Sequence, residues 1–198
     1  KKSIEINEER YDYDFVFKEL VKLINEVIEC SKIEKEKILG AGVALHGIVN
    51  ARTGMSIYSP YYGWKEINIK EALENELNLG VYVENDVRAM AIAEHEFGSA
   101  EKLNSFVMLY ISNGIGSSIV IDGKPFEGNT YSAGEIGHYV VKENSTTKCS
   151  CGKYGCLEAE FSDQAIKDKV SWYFEVNNME QQREDNNMKS IYGRGKER

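Results

Sequence analysis

Gly137-His138 and, ten residues on, Cys149-Ser150-Cys151-Gly152-Lys153-Tyr154-Gly155-Cys156-Leu157-Glu158 form the stretch around which this 198-residue chain is organised. Three of the four cysteines fall within eight residues, and His138 lies eleven residues before the first of them. One imidazole and three thiolates make a closed tetrahedral donor set, the ligand chemistry of structural zinc. Gly152 and Gly155 stand where a chain turning tightly around an ion needs residues without a Cβ. The alternative is a disulfide with a spare thiol, which the compartment argument below disfavours. The spacing is unlike that of a standard zinc finger, so it points to a metal and not to nucleic acid.

Composition narrows the class. Hydrophobic residues at 42% and charged residues at 28% are those of an ordinary globular protein, long enough for one sizeable core or two small lobes. A net charge of −8 gives no basic field for nucleic acid or an anionic membrane. No apolar run approaches the roughly 20 residues of a membrane span. Lys1-Lys2-Ser3 is followed by charged residues and not by a signal-peptide core. Cys30 stands alone, and the other cysteines share a loop with a histidine; a reducing, cytoplasmic setting is expected.

Outward from the cysteine loop, the upstream chain reads as alternating helices and strands. Phe17, Leu20, Leu23, Ile24, Val27 and Ile28 have helical spacing, which predicts an amphipathic helix over 14–30 ending at a buried or half-buried Cys30. The apolar run 38–45 predicts a strand buried on both faces, as in a parallel sheet. His46 and Gly47 leave its carboxyl end, where open α/β sheets gather ligands, or simply turn the chain. Residues 51–66 read as a tyrosine-rich loop, followed by a helix capped by Asn68. Val81-Tyr82-Val83 is a short strand, Glu84-Asn85-Asp86 a turn, and 87–97 a helix. Asp86 either caps that helix or accepts a proton from a bound hydroxyl. His95 is expected in solvent.

Phe106 to Ile111 and Ser118 to Ile121 read as strands joined by Ser112–Ser117, a small Gly-rich turn able to approach a phosphate closely. The turn lacks both the GxGxxG pattern and a P-loop lysine. Glu135 and His138, three apart, share a face if helical. A helix capped by Ser162 follows the cysteines, and residues 177–198 are too polar to bury and are expected to be disordered.

With these pieces laid out, the chain resembles the ROK family of repressors, uncharacterised frames and sugar kinases. The resemblance rests on Glu84-Asn85-Asp86 with its helix and Phe97-Gly98, on the Ser112–Ser118 hairpin, and on Tyr131-Ser132-Ala133-Gly134-Glu135-Ile136-Gly137-His138. Cys149 to Glu158 completes it, and the pieces come in the family's order from about residue 38 to 175. It implies an α/β fold of the actin-like, ribonuclease-H-like ATPase and sugar-kinase type, in two lobes and here incomplete. The lobes expected are 1–103 and 104–176, the second carrying the zinc loop, with sugar in the cleft between them. By resemblance Gly47, Asn85, Asp86, Glu135, His138 and Glu158 hold a monosaccharide, and His138, Cys149, Cys151 and Cys156 hold zinc. His138 then uses one ring nitrogen for the metal and the other for a sugar hydroxyl. Asp86 is the general base if the chain is a kinase, with ATP and Mg as its co-substrate. A homodimer is usual in the family, and no membrane partner is implied.

The departures shape the functional expectation. Residues 1–37 hold no Asp-x-Gly-x-Thr phosphate turn and no helix-turn-helix, and the family's last helices and second nucleotide motif do not follow residue 175. An internal or truncated stretch is expected, in which operator DNA is reached only through a domain outside this chain. Ser112-Asn113-Gly114-Ile115-Gly116 also differs from the Gly-Thr-Gly of active kinases. The favoured expectation is therefore the sugar-binding effector domain of a transcriptional repressor, followed by an ATP-dependent sugar kinase, followed by a degenerate fragment that holds zinc.

Overall fold

The computed structural model describes residues 12–177, so the expectations for residues 1–11 and for the tail beyond 177 lie outside it. The described chain forms two compact units, residues 12–106 with 119–133 and residues 107–118 with 134–177. Mixed parallel and antiparallel sheets flanked by helices make this the α/β architecture expected. No helix among the described residues is long and apolar enough to cross a membrane.

In the first unit, helix α1 (Tyr13–Ser31) sets Phe17, Leu20 and Ile24 against the core. Cys30 is exposed, contrary to expectation. At about 100° per residue it lies some 140° round the helix from Phe17, off the apolar stripe. Strand β1 (Ala41–Leu45) pairs in parallel with β5 (Val81–Asn85), Leu45 opposite Asn85. The apolar run thus starts its strand at Ala41, leaving Leu39 almost fully exposed, and β1 alternates half-buried with exposed positions. Because alternate positions are exposed, β1 lacks the two covered faces that a continuous apolar run suggested.

Residues 51–66 are not one loop but half strand and half turn. Strands β2 (Ile48–Asn50), β3 (Met55–Ser59) and β4 (Trp64–Asn68) form an antiparallel meander. The buried positions of β3 are Ser56 and Ser59, so its alternation is invisible to a hydrophobicity reading. Helix α2 (Ile69–Leu77) buries Ile69, Leu73 and Leu77 at a spacing of four, and Asn68 caps it by accepting the Glu71 N–H at 3.3 Å. These three side chains join Val49, Trp64, Val81 and Val83 in the core. Helix α3 (Asp86–Phe97) follows β5 without a loop.

Strands β6 (Phe106–Ile111), β7 (Ile115–Ile121) and β8 (Lys124–Pro125) make a third sheet in that order. Asp122-Gly123, both with positive φ, joins β7 to β8 in a two-residue hairpin turn. Strand β7 starts three residues earlier than expected, which takes Gly116 and Ser117 out of the preceding turn. His95 is half-buried and not in solvent, its ring stacked on Phe106 at 6.2 Å.

The 134–177 part of the second unit is built from turns and two helices. A 3₁₀ turn spans Ile136–His138, and helices α4 (Leu157–Phe161) and α5 (Asp163–Val176) close the described chain. Ser162 caps α5, its hydroxyl accepting the Ala165 N–H at 3.2 Å. Glu160 on α4, 1% exposed, receives Lys169 Nζ from α5 at 2.8 Å and the Ser145 hydroxyl, and Lys142 lies at 3.6 Å. These contacts tie the segment entering the cysteine loop to both helices. The Lys169 ammonium first, then the Ser145 hydroxyl, hold the Glu160 carboxyl down at about 2, well below its ordinary 4.5. Because the folded value is the lower one, the stabilisation is complete above the ordinary value and is lost as pH falls from about 4.5 toward about 2. Glu160→Gln should cost about 1–3 kcal/mol at pH 7, the range for a buried polar group deprived of its partner. The difference in thermal unfolding between wild type and variant should be constant above pH 5 and shrink in acid; a difference independent of pH down to 3 would refute the assignment.

Candidate functional site

The second unit brings four donor side chains together. The ligating atoms of His138, Cys149, Cys151 and Cys156 lie within 4.8 Å of one another. Cys151 Sγ is 3.7 Å from Cys156 Sγ, and Cys149 Sγ is 3.4 Å from His138 Nδ1. All three thiols are free, and the sulfurs stand well beyond a disulfide bond of about 2.05 Å. Metal–sulfur bonds of about 2.3 Å and metal–nitrogen bonds of about 2.0–2.1 Å in a tetrahedron give donor separations of roughly 3.4–3.8 Å. Two of the donor pairs have that spacing, and the four side chains together could hold one metal ion.

The loop is pre-shaped for that convergence. Gly152 and Gly155 have φ of 91° and 72°, and a side chain at Gly155 would strike the Lys142 carbonyl. Cys149 N–H donates to the Lys153 carbonyl at 2.8 Å, and Val140 bridges to Cys156. Burial, with the neighbouring thiols, pushes the Cys156 thiol up to about 12. Burial also raises Cys151, but the Lys153 N–H and the Cys149 and Cys156 side chains outweigh it and lower this thiol below its ordinary value. A metal bound here displaces thiol protons, so its affinity falls in acid.

His138 faces two ways. Its Nδ1 is turned to Cys149, and its Nε2 lies 3.7 Å from Glu135 Oε2. The 3₁₀ turn produces this, because residues three apart eclipse in that geometry. Glu158, in the first turn of α4 two residues past Cys156, accepts the Ile115 N–H at 3.0 Å through Oε2. Three expected sugar ligands of this unit, Glu135, His138 and Glu158, are thus set by the donor loop and the elements either side of it.

The first unit brings together the other three. Gly47 turns the chain between β1 and β2 at a φ of 94°, where a Cβ would strike the Tyr58 carbonyl. Its own carbonyl accepts Asn85 Nδ2 at 3.0 Å. The N-cap of α3 is Asn85 and not Asp86: Asn85 Oδ1 accepts the Arg88 N–H at 3.0 Å. Asp86 is the first helical residue, its Oδ1 accepting Asn85 Nδ2 at 3.1 Å and the Val87 N–H at 2.9 Å.

The sequence reading missed Arg88. It is 2% exposed and donates to Glu84 at 2.7 Å, to the Val49 carbonyl at 2.6 Å and to the Tyr131 carbonyl at 3.3 Å. One guanidinium thereby fixes the Asn85-Asp86 turn, strand β2 and the 127–133 loop. The signal for it was a Glu84–Arg88 spacing of four across a strand-to-helix turn.

Known proteins place the chain in a lineage. A family profile of the ROK family matches residues 5–194. The xylose repressor of Caldicellulosiruptor bescii is 31% identical over 155 residues, 78% of this chain and 39% of the repressor. The crystal structure of a ROK family transcriptional regulator, a homolog of the E. coli MLC protein, superposes with a TM-score of 0.71 at 32% identity, covering 82% of this chain and 41% of the regulator. A ROK family glucokinase from Streptomyces griseus, solved with glucose and AMPPNP, gives 0.70 at 24% identity over 80% of this chain and 50% of the kinase, a likeness of fold. The chain spans about two fifths of the length of the curated relatives it matches. By the extent of the profile match and the repressor identity together, the chain belongs to the ROK family.

Proposed function

We propose that this chain is the sugar-binding effector region of a ROK transcriptional repressor, with a structural zinc held by His138, Cys149, Cys151 and Cys156. The observation that carries it is the orientation of His138, with Nδ1 toward the thiols and Nε2 toward Glu135. A metal on Nδ1 fixes the tautomer and leaves Nε2–H as a donor beside a carboxylate. A sugar hydroxyl, both donor and acceptor, can bond to that pair. Glu158, and Asn85 with Asp86 and the Gly47 turn, supply further hydroxyl contacts in this reading. Bound sugar shifts the population of conformers in the longer repressor, and operator DNA is contacted by a helix-turn-helix outside this stretch. A homodimer in a cytoplasmic setting completes the proposal.

The repressor is favoured over the kinase by the Ser112–Gly116 turn. Ser112 N–H is spent on the Gly114 carbonyl at 2.9 Å, and Ile115 N–H on Glu158 at 3.0 Å. Backbone donors of such a turn cradle phosphate only when they are free to point at it. Asp86 keeps the second reading, a sugar kinase, in view: a carboxylate at the start of a helix beside a hydroxyl-binding asparagine can serve as general base.

Metal analysis of the purified chain should give about one zinc per chain, and chelation should unfold the second unit. Cys151→Ala should lose zinc and weaken binding of D-xylose, D-glucose or N-acetyl-D-glucosamine at least tenfold by titration calorimetry. Wild-type sugar affinity in that variant would confine the loop to structure. Incubated with Mg-ATP and each of these sugars, the chain should form no sugar phosphate; measurable turnover removed by Asp86→Asn would establish the kinase instead.

A further inference from the structure

The tyrosines between β3 and β4 have no part in the reading so far. Trp64, 6% exposed, belongs to the core of the first unit. Tyr62 stacks on it at 4.8 Å with an interplanar angle of 27°. Tyr61 stands edge-on to Tyr62 at 5.2 Å and edge-on to His46 at 6.0 Å. His46 is held in turn, its Nδ1 lying 3.3 Å from the hydroxyl of the buried Ser59. Tyr61 is therefore braced on two sides by rings that are rooted in the fold, yet it remains 56% exposed. A ring braced in this way keeps its orientation without covering its own apolar surface.

Its position is not arbitrary. His46 precedes Gly47, the residue whose carbonyl accepts Asn85 Nδ2. Tyr62, on the other side of Tyr61, has its phenol raised by burial first, then by Tyr61 and by the negative charge of Asp86. The mounted ring thus packs on His46, the chain neighbour of Gly47, and so belongs to the same unit as the Gly47, Asn85 and Asp86 group. A monosaccharide in pyranose form is amphipathic. Its hydroxyls project around the rim and bond to amide and carboxylate groups, while its C–H bonds form an apolar face. A site offering only hydroxyl partners leaves that face against water.

We propose that Tyr61 is the stacking platform for the C–H face of a pyranose whose hydroxyls are held by Gly47, Asn85 and Asp86, with His46 and Tyr62 as positioning residues that set its plane. The inference rests on the sugar-binding reading above and adds the group that would select a ring with an unbroken apolar face. An aromatic face against sugar C–H bonds gains both dispersion contact and weak C–H···π attraction. It also costs little conformational entropy, since the ring is already fixed.

The test titrates the 198-residue chain with D-xylose, D-glucose and N-acetyl-D-glucosamine, and follows the sugar C–H protons by NMR. Wild type should bind at least one of the three and shift its axial C–H protons upfield by the ring current. Tyr61→Ala and Tyr61→Leu should bind that sugar at least tenfold more weakly and abolish the shift, while Tyr61→Phe stays within about threefold. Tyr82→Ala removes another exposed tyrosine on β5, 72% exposed, and should bind as wild type. Wild-type affinity and an intact upfield shift in Tyr61→Leu overturn the platform while leaving sugar binding standing. Failure of the wild-type chain to bind any of the three overturns the sugar-binding reading, and the platform with it.

Discussion

The second unit depends on one convergence, that of His138, Cys149, Cys151 and Cys156. Its described residues bury few large apolar side chains; Ile115, Cys149 and Cys156 are the buried hydrophobic residues among them. The first unit, by contrast, has a continuous cluster from Val49 to Val83. A unit of this size with so small a core needs another source of cohesion, and a four-donor metal site is one of the few available. The two helices that follow are anchored to the same loop, α4 through Cys156 at its start and α5 through the Glu160–Lys169 pair. A metal held by the loop, as proposed, would do for this unit what Leu73 and its neighbours do for the other.

A division of labour at the β5–α3 junction has the same economy. A helix N-terminus needs a side-chain acceptor, and a carboxylate placed there would ordinarily be consumed as a cap. Asn85 takes the cap with its oxygen and holds the Gly47 carbonyl with its nitrogen. Asp86 is then held in the first turn by the Asn85 amide and the Val87 N–H. Arg88 supplies the rigidity, with its guanidinium buried against two backbone carbonyls and Glu84. Such a turn holds an amide and a carboxylate side by side with little freedom to rearrange.

Much of this was legible in the sequence, and the illegible parts have a common cause. Helices α1, α2, α3 and α5 declared themselves by apolar spacing and by the Asn68 and Ser162 caps. The donor set was legible because cysteine clustering carries its own chemistry. The β2–β3–β4 meander was not legible, since serines occupy the buried positions of β3. Helix α4 was missed because five residues are too few to show a period. Cys30 and His95 were misplaced because a residue type says little about which way its side chain points. Arg88 and Glu160 escaped because a charged residue is read as solvent-facing until its partners are seen.

The choice between sensor and catalyst turns on where the backbone donors of the Ser112–Gly116 turn are spent. Both activities ask the same of Asp86, a carboxylate held near a hydroxyl. Only the catalyst also asks for unpaired N–H groups facing a phosphate chain. In this chain the Ile115 N–H is committed to Glu158, a residue that follows the last cysteine by two positions and shares its helix start. The negative charge satisfying the turn is thus supplied from within, by the same loop that carries the metal donors. Releasing that donor to a phosphate would mean turning the Glu158 carboxylate away from it, at the start of the helix that follows Cys156. In the sensor reading this coupling is an asset, because a ligand that engages Glu158 acts at once on the β6–β7 turn and on α4. In the kinase reading it is an obstacle, which is the physical ground for preferring the sensor.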